Sequence, residues 1–401
     1  MDQLPIEEAI PALRERLATG RSVLLTAQPG AGKTTRVPIA LLDEPWLTGQ
    51  KLIMLEPRRL AARAAATYMA ASLGEPVGRT VGYRIRHESK VSAATRIEVV
   101  TEGILTRLLQ QDPSLAGYGL VIFDEFHERS LQADLGLAFA RESQRLFRED
   151  LRLLVMSATL DCAAVTSLLS DATAISCEGR LFPVTTHYLD RPIDGHIEPA
   201  VVRSIKAALA KESGSLLVFL PGMAEIRRVE RQLHEGRLDP DVIIAPLHGE
   251  LPQAEQDQAI RPAPSGSRKI VLATSIAETS LTIEGVRVVI DAGLMRIPRF
   301  DPRTGLTRLD TIRVTLDAAD QRRGRAGRLE AGTCYRLWTN AEHQALLPRR
   351  PPEILEADLA PLGLELAEWG VLDAKELSWL DPPPAGALAQ ARDLLRQLGA
   401  L

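Results

Sequence analysis

Cysteine is scarce, three in 401 residues, and Cys162, Cys177 and Cys334 lie far apart without metal-ligand spacing. That excludes a disulfide-stapled secreted scaffold and suits reduced, buried thiols. No run of about 18 apolar residues offers a transmembrane helix, so no membrane partner is expected. The start carries Asp2, Glu7 and Glu8 where a secretory signal would be basic and then apolar, and the expected location is the cytoplasm. Positive charge is not in excess: 48 Lys and Arg against 52 Asp and Glu leave a net charge of -4. This excludes a protein that holds polyanions by its bulk field and confines any nucleic-acid site to a local groove. No short-period repeat or low-complexity tract occurs, apart from the prolines at 382–384.

What remains is ordinary globular composition, 45% hydrophobic and 25% charged, in a chain too long for one typical core. Apolar runs at 22–26, 51–55, 97–101, 120–123 and 151–156 alternate with helix-compatible stretches. They lack period-two alternation, as parallel strands covered on both faces do, so a doubly wound α/β sheet is predicted. A second series at 216–220, 242–245, 269–273 and 286–290 predicts a second such sheet, with helix 223–234 between strands. The join is expected within 182–199, a proline-punctuated, weakly patterned stretch. After Trp338 the strands are expected to stop, and 355–398 reads as short amphipathic helices. The predicted domains are therefore 1–185, 186–345 and a partial helical segment, 346–401.

The strand at 22–26 runs into Ala27, Gln28, Pro29, Gly30, Ala31, Gly32, Lys33, Thr34 and Thr35, then an apolar helical stretch. That context predicts a phosphate-binding loop spanning Gly30 to Thr35. Glycines turn backbone N–H groups inward at a helix N-terminus, Lys33 reaches the β and γ phosphates, and Thr34 offers a hard oxygen to Mg²⁺. The strand at 120–123 ends in Asp124, Glu125, Phe126 and His127. Asp124 is suited to hold Mg²⁺, and Glu125 to orient and deprotonate the attacking water. A bland alternative is acidic capping of the next helix. His127 is either a local hydrogen-bonding residue or a coupling element toward a facing domain. Ser157 and Thr159, closing the strand at 151–156, are candidate relays of the γ-phosphate state.

The most informative stretch is Gln321, Arg322, Arg323, Gly324, Arg325, Ala326, Gly327, Arg328. Chance gives such a match about once in 10⁵ for this length, which decides against a merely solvated basic helix. Helical spacing is expected to put Arg325 and Arg328 on one face, as guanidinium forks for the charge developing on a transferring phosphoryl. With Gln321 they join Lys33, Asp124 and Glu125 as candidate catalytic residues.

These segments together resemble the DEAH/DExH-box RNA helicases of superfamily 2, most closely the bacterial HrpB type, over nearly the whole chain. Glu56 to Ala62 is similar to motif Ia, Thr101 to Leu105 to Ib, Leu217 to Gly222 to IV, and Ala273 to Ile283 to V. The resemblance implies two tandem RecA-like domains closing on ATP, or another NTP, with Mg²⁺, followed by the start of a winged-helix-like domain. It also implies single-stranded nucleic acid, RNA before DNA, gripped by Arg58, Arg59, Thr101, Thr274 and Ser275, and movement from 3′ to 5′. The hairpin-like stretch around Asp301-Pro302-Arg303-Thr304-Gly305 corresponds to the family's strand-separating wedge. Ala27 replaces the first glycine of the phosphate loop, and Phe126 the alanine of the name-giving motif. Family members continue with further C-terminal domains, so the chain is expected to be a truncated piece of a longer protein, a piece that hydrolyses ATP better than it unwinds. A DNA translocase and a nucleotide-gated binding module without turnover remain as rivals; the intact Glu125, Gln321, Arg325 and Arg328 speak against the latter.

Overall fold

The computed structural model describes residues 4–158, 162–169, 172–179, 182–278, 283–328 and 330–401. Thr159 and positions 279–282 lie outside the described residues. The chain divides into two compact units, residues 1–179, 302–306 and 351–401 in one, 180–301 and 307–350 in the other.

In the first unit, strands β1 (Ser22–Ala27), β2 (Lys51–Leu55), β3 (Val81–Ile85), β4 (Glu88–Lys90), β5 (Ile97–Val100), β6 (Tyr118–Phe123), β7 (Arg152–Ser157) and β8 (Thr173–Cys177) form one sheet. Its order is β4-β3-β5-β2-β6-β7-β1-β8, parallel except for the β3–β4 pair. The apolar runs are explained by double coverage. Ile53, Leu55, Val121 and Phe123 pack on one side with helix Leu131–Leu146, while Leu52, Met54, Leu120 and Ile122 pack on the other with helix Arg59–Ser72. Ser130 starts the first of these helices by accepting the Ala133 N–H at 3.1 Å.

Residues 351–401, expected to open a domain of their own, share the first unit's core. Leu362 and Leu366 of helix Ala360–Glu368 and Leu388 of helix Ala385–Gln397 join the cluster that holds Phe123 and Phe139. Trp369 stacks on Phe139, with ring centroids 4.2 Å apart and planes within 11°. Short amphipathic helices have only narrow apolar stripes to bury, and the sheet's outer helix offers the surface they lack.

In the second unit, β9 (Val184–Leu189), β10 (Ser215–Phe219), β11 (Val242–Leu247), β12 (Arg268–Ala273) and β13 (Val286–Asp291) precede a two-stranded sheet of β14 (Leu294–Asp301) and β15 (Leu306–Arg313). With β16 (Gly332–Thr339) the main sheet runs β11-β12-β10-β13-β16-β9, all parallel. The stretch expected to be a linker contains β9, and the two-unit division falls before it. Its sequence, Val-Thr-Thr-His-Tyr-Leu, is half-exposed at the sheet's edge and lacks the apolar signature of a central strand.

Candidate functional site

The order β5-β2-β6-β7-β1 brings Thr101, Arg58 and Arg59, Asp124 and Glu125, Ser157, and the phosphate loop in turn along one carboxyl edge of the first sheet. That is where open α/β sheets place ligands. Between β1 and helix Lys33–Ala40 the backbone is left-handed at Gly30 (φ 85°) and Gly32 (φ 97°). A Cβ at Gly32 would also come within 2.8 Å of Leu4 Cδ1. Ala27 is the last residue of β1 and has no positive φ, so alanine carries no strain there. The Ala27 carbonyl accepts from Lys33 Nζ at 2.7 Å, and Lys33 is buried.

Thr34 donates its hydroxyl to Asp124 Oδ2 at 2.5 Å, joining the loop to the end of β6. Asp124 Oδ1 accepts the Glu125 N–H at 2.9 Å. Burial, reinforced by the Glu125 charge, pushes the Asp124 carboxyl up to about 7, with Lys33 pulling the other way. Glu125 is itself left-handed, φ 48°, an uncommon backbone for a non-glycine residue. Phe126 turns into the core, edge-on to Phe123 with ring centroids 6.1 Å apart, so its departure from alanine leaves the acid pair untouched. His127 Nδ1 lies 3.4 Å from Glu125 Oε2 and accepts the Ala158 N–H at 3.4 Å. It ties the acidic turn to the segment after β7 within its own unit. Ser157, at the end of β7, is buried.

In the second unit Gln321 and Arg322 lie on helix Leu316–Gly324, but the helix stops there. Arg325 and Arg328 therefore do not share a helical face; they sit in the turn beyond and, with Leu217, Ala277, Ile283 and Val286, line one small cavity of about 10 Å³. Gly327 is held close to a neighbouring segment. A Cβ there would lie 2.6 Å from the Phe182 carbonyl oxygen, and its own carbonyl accepts the Phe182 N–H at 3.0 Å. Arg325 donates to the Glu278 carbonyl.

Arg322 is fully buried, with Nη1 2.7 Å from Asp291 Oδ1, Nε 2.7 Å from Glu278 Oε1, and its guanidinium over the Phe219 ring. Glu278, Asp291 and Arg322 stood within the segments recognised in the sequence or just beside them, yet received no role. The available signal was an aspartate closing an apolar strand, as at Asp124.

Of the expected nucleic-acid residues, Arg59 is exposed, and Arg58 pairs with Glu128 at 3.1 Å. Thr101 precedes helix Glu102–Gln111, its N–H donating to the Arg84 carbonyl at 3.3 Å. Thr274 and Ser275 follow β12, and the Thr274 N–H donates to the Leu247 carbonyl at 3.2 Å. Among the described residues no group of three or more His, Cys, Asp or Glu forms a metal cluster. Mg²⁺, which keeps waters and phosphate oxygens, needs only a pair such as Thr34 and Asp124.

A family model described as DEAD/DEAH box helicase matches residues 6–168, and one described as helicase conserved C-terminal domain matches 200–330. The chain is 51% identical over its full length to the ATP-dependent RNA helicase HrpB of Escherichia coli, covering 49% of that protein. It is 36% identical over 99% of its length to the pre-mRNA-splicing factor ATP-dependent RNA helicase prp22 of Schizosaccharomyces pombe, covering 35% of it. It thus spans about half of the first relative and about a third of the second. The crystal structure of the E. coli DEAH/RHA helicase HrpB is similar with a TM-score of 0.94 over 99% of this chain and 51% of that one, at 51% identity.

Proposed function

We propose that this chain, matched over 6–168 by a DEAD/DEAH box helicase model and over 200–330 by a helicase C-terminal model, is a motor that couples Mg-ATP hydrolysis to 3′-to-5′ movement along single-stranded RNA. The observation that carries this reading is the Thr34 hydroxyl on Asp124 at 2.5 Å, beside the phosphate loop and next to Glu125.

Backbone N–H groups around Gly30, Ala31 and Gly32, with Thr35 behind them, cradle phosphate oxygens at the start of helix Lys33–Ala40. Lys33 leaves the Ala27 carbonyl for the β and γ phosphates. Thr34 and Asp124 are the oxygen donors that would hold Mg²⁺, which would supply charge neutralisation for the phosphates there. Glu125 orients the attacking water and takes its proton. Arg325 and Arg328 stabilise the charge on the transferring phosphoryl. His127 and Ser157, with Thr159, relay the nucleotide state. Arg58, Arg59, Thr101, Thr274 and Ser275 hold phosphate and sugar, a grip that ignores base sequence. The RNA helicase activity named for both relatives supports RNA over DNA.

Hydrolysis measured without nucleic acid, with single-stranded RNA and with single-stranded DNA tests the reading. Stimulation by RNA is expected. No hydrolysis in any of the three sinks the motor, and stimulation by DNA alone reassigns its track.

A further inference from the structure

Glu125 sits on a turn whose backbone is unfavourable at both ends. Glu125 (φ 48°) and Arg129 (φ 49°) are both left-handed, separated by the 3-residue 3-10 helix Phe126–Glu128. Neither is glycine, so the turn keeps this shape only where its surroundings dictate it. Phe126, packed on Phe123, anchors the near end. Arg129 is gripped at the far end. Its Nε and Nη2 donate to the two Asp134 carboxylate oxygens at 3.0 Å each, and Nη2 also reaches Asp381 Oδ2 at 2.6 Å. The Arg129 carbonyl accepts the Glu353 N–H at 3.1 Å, and the Glu353 carboxylate accepts the Leu131 N–H at 2.9 Å. Asp381 and Glu353 belong to the C-terminal segment 351–401, part of the same unit. A segment remote in sequence thus closes on the residue that ends the catalytic turn.

We propose that Asp381, through the Arg129 guanidinium, and Glu353, through the Leu131 N–H, are positioning residues for hydrolysis: they hold the 125–129 turn in the shape that aims the Glu125 carboxylate. This rests on the assignment of Glu125 as the base. The hydrogen bonds of the phosphate loop, Lys33 to Ala27 and Thr34 to Asp124, do not pass through Arg129. The latch therefore governs turnover and leaves nucleotide affinity alone.

The full chain carrying Asp381→Ala, Asp381→Asn or Asp381→Glu is compared with the unsubstituted chain for kcat, KM and thermal midpoint. Asp381 is 39% exposed at its side chain, so folding is not at stake; Glu353→Ala, which removes the acceptor of the Leu131 N–H, gives a second, independent probe with the same expected loss. The alanine and asparagine variants should lose roughly tenfold in kcat with KM within about twofold, and the glutamate variant should recover most of the loss. An unchanged kcat in both overturns the latch. So does a loss that tracks a lowered midpoint and moves KM equally, which marks a merely structural contact. If the unsubstituted chain hydrolyses nothing, the base assignment and the latch fall together; if it turns over and Asp381→Ala matches it, the latch alone falls.

Discussion

Asp124 and Glu125 are adjacent in sequence but differ in chemical setting. Asp124 is buried against Thr34, close enough to Lys33 to feel its charge, whereas Glu125 projects from a left-handed backbone beside His127. Glu125→Gln keeps shape and removes basicity, so turnover should fall about 10²- to 10⁴-fold with nucleotide affinity nearly unchanged; retained hydrolysis would exclude it as the base. Glu102 supplies a separate prediction. Burial, together with the charges of Glu128, Glu353 and Asp134, pushes its carboxyl from 4.5 up to about 7, against the Ser130 hydroxyl that donates to it. A raised acid favours the fold while protonated. Its contribution is full below the unfolded value near 4.5 and is lost as pH rises through about 7. Glu102→Gln keeps the acceptor for Ser130 and never ionises. Its stability advantage over the unsubstituted chain should grow across that window, to on the order of 3 kcal/mol. Parallel stability curves for the two proteins would refute the assignment.

Elements position these residues by where their strands end. The successive carboxyl ends of β5, β2, β6, β7 and β1 form a single edge, and each site residue of the first unit follows one of them. In the second unit Arg322 ties the helix Leu316–Gly324 to Glu278 and to Asp291 at the end of β13, so the turn bearing Arg325 and Arg328 starts from a fixed point. The C-terminal helices act on the first unit in the same way. Leu362 is fully buried in the core that holds Phe123 and Phe139. Leu362→Ala should cost about 2 to 5 kcal/mol and lower the single melting transition of that unit. A separate early transition, with the rest of the unit unmoved, would show that the segment folds apart from it.

For the whole molecule, a net charge of -4 means that the RNA binding proposed above has to come from a few placed cations and not from the overall field. Affinity for single-stranded RNA should therefore fall with salt by about 0.7 in log-log slope for each phosphate neutralised, and Arg59→Ala should flatten the slope by about that amount. An unaltered slope would remove Arg59 from the interface. The central strands, the phosphate loop, the acid pair and the arginine segment were legible in the sequence because each is local: an apolar run, a glycine turn or a charged cluster announces itself within a few residues. Strand β9 was not, since an edge strand half-exposed to water has no such signature. The helical face expected for Arg325 and Arg328 failed because the helix ends at Gly324, and the turn beyond it packs by Gly327 against Phe182, a contact made across the fold. By itself the sequence determined which chemical groups the protein carries and that they close parallel strands. Only the tertiary structure decided that Asp381 closes on Arg129 and Glu353 on Leu131, because hydrogen bonds spanning 252 and 222 positions leave no trace in local pattern.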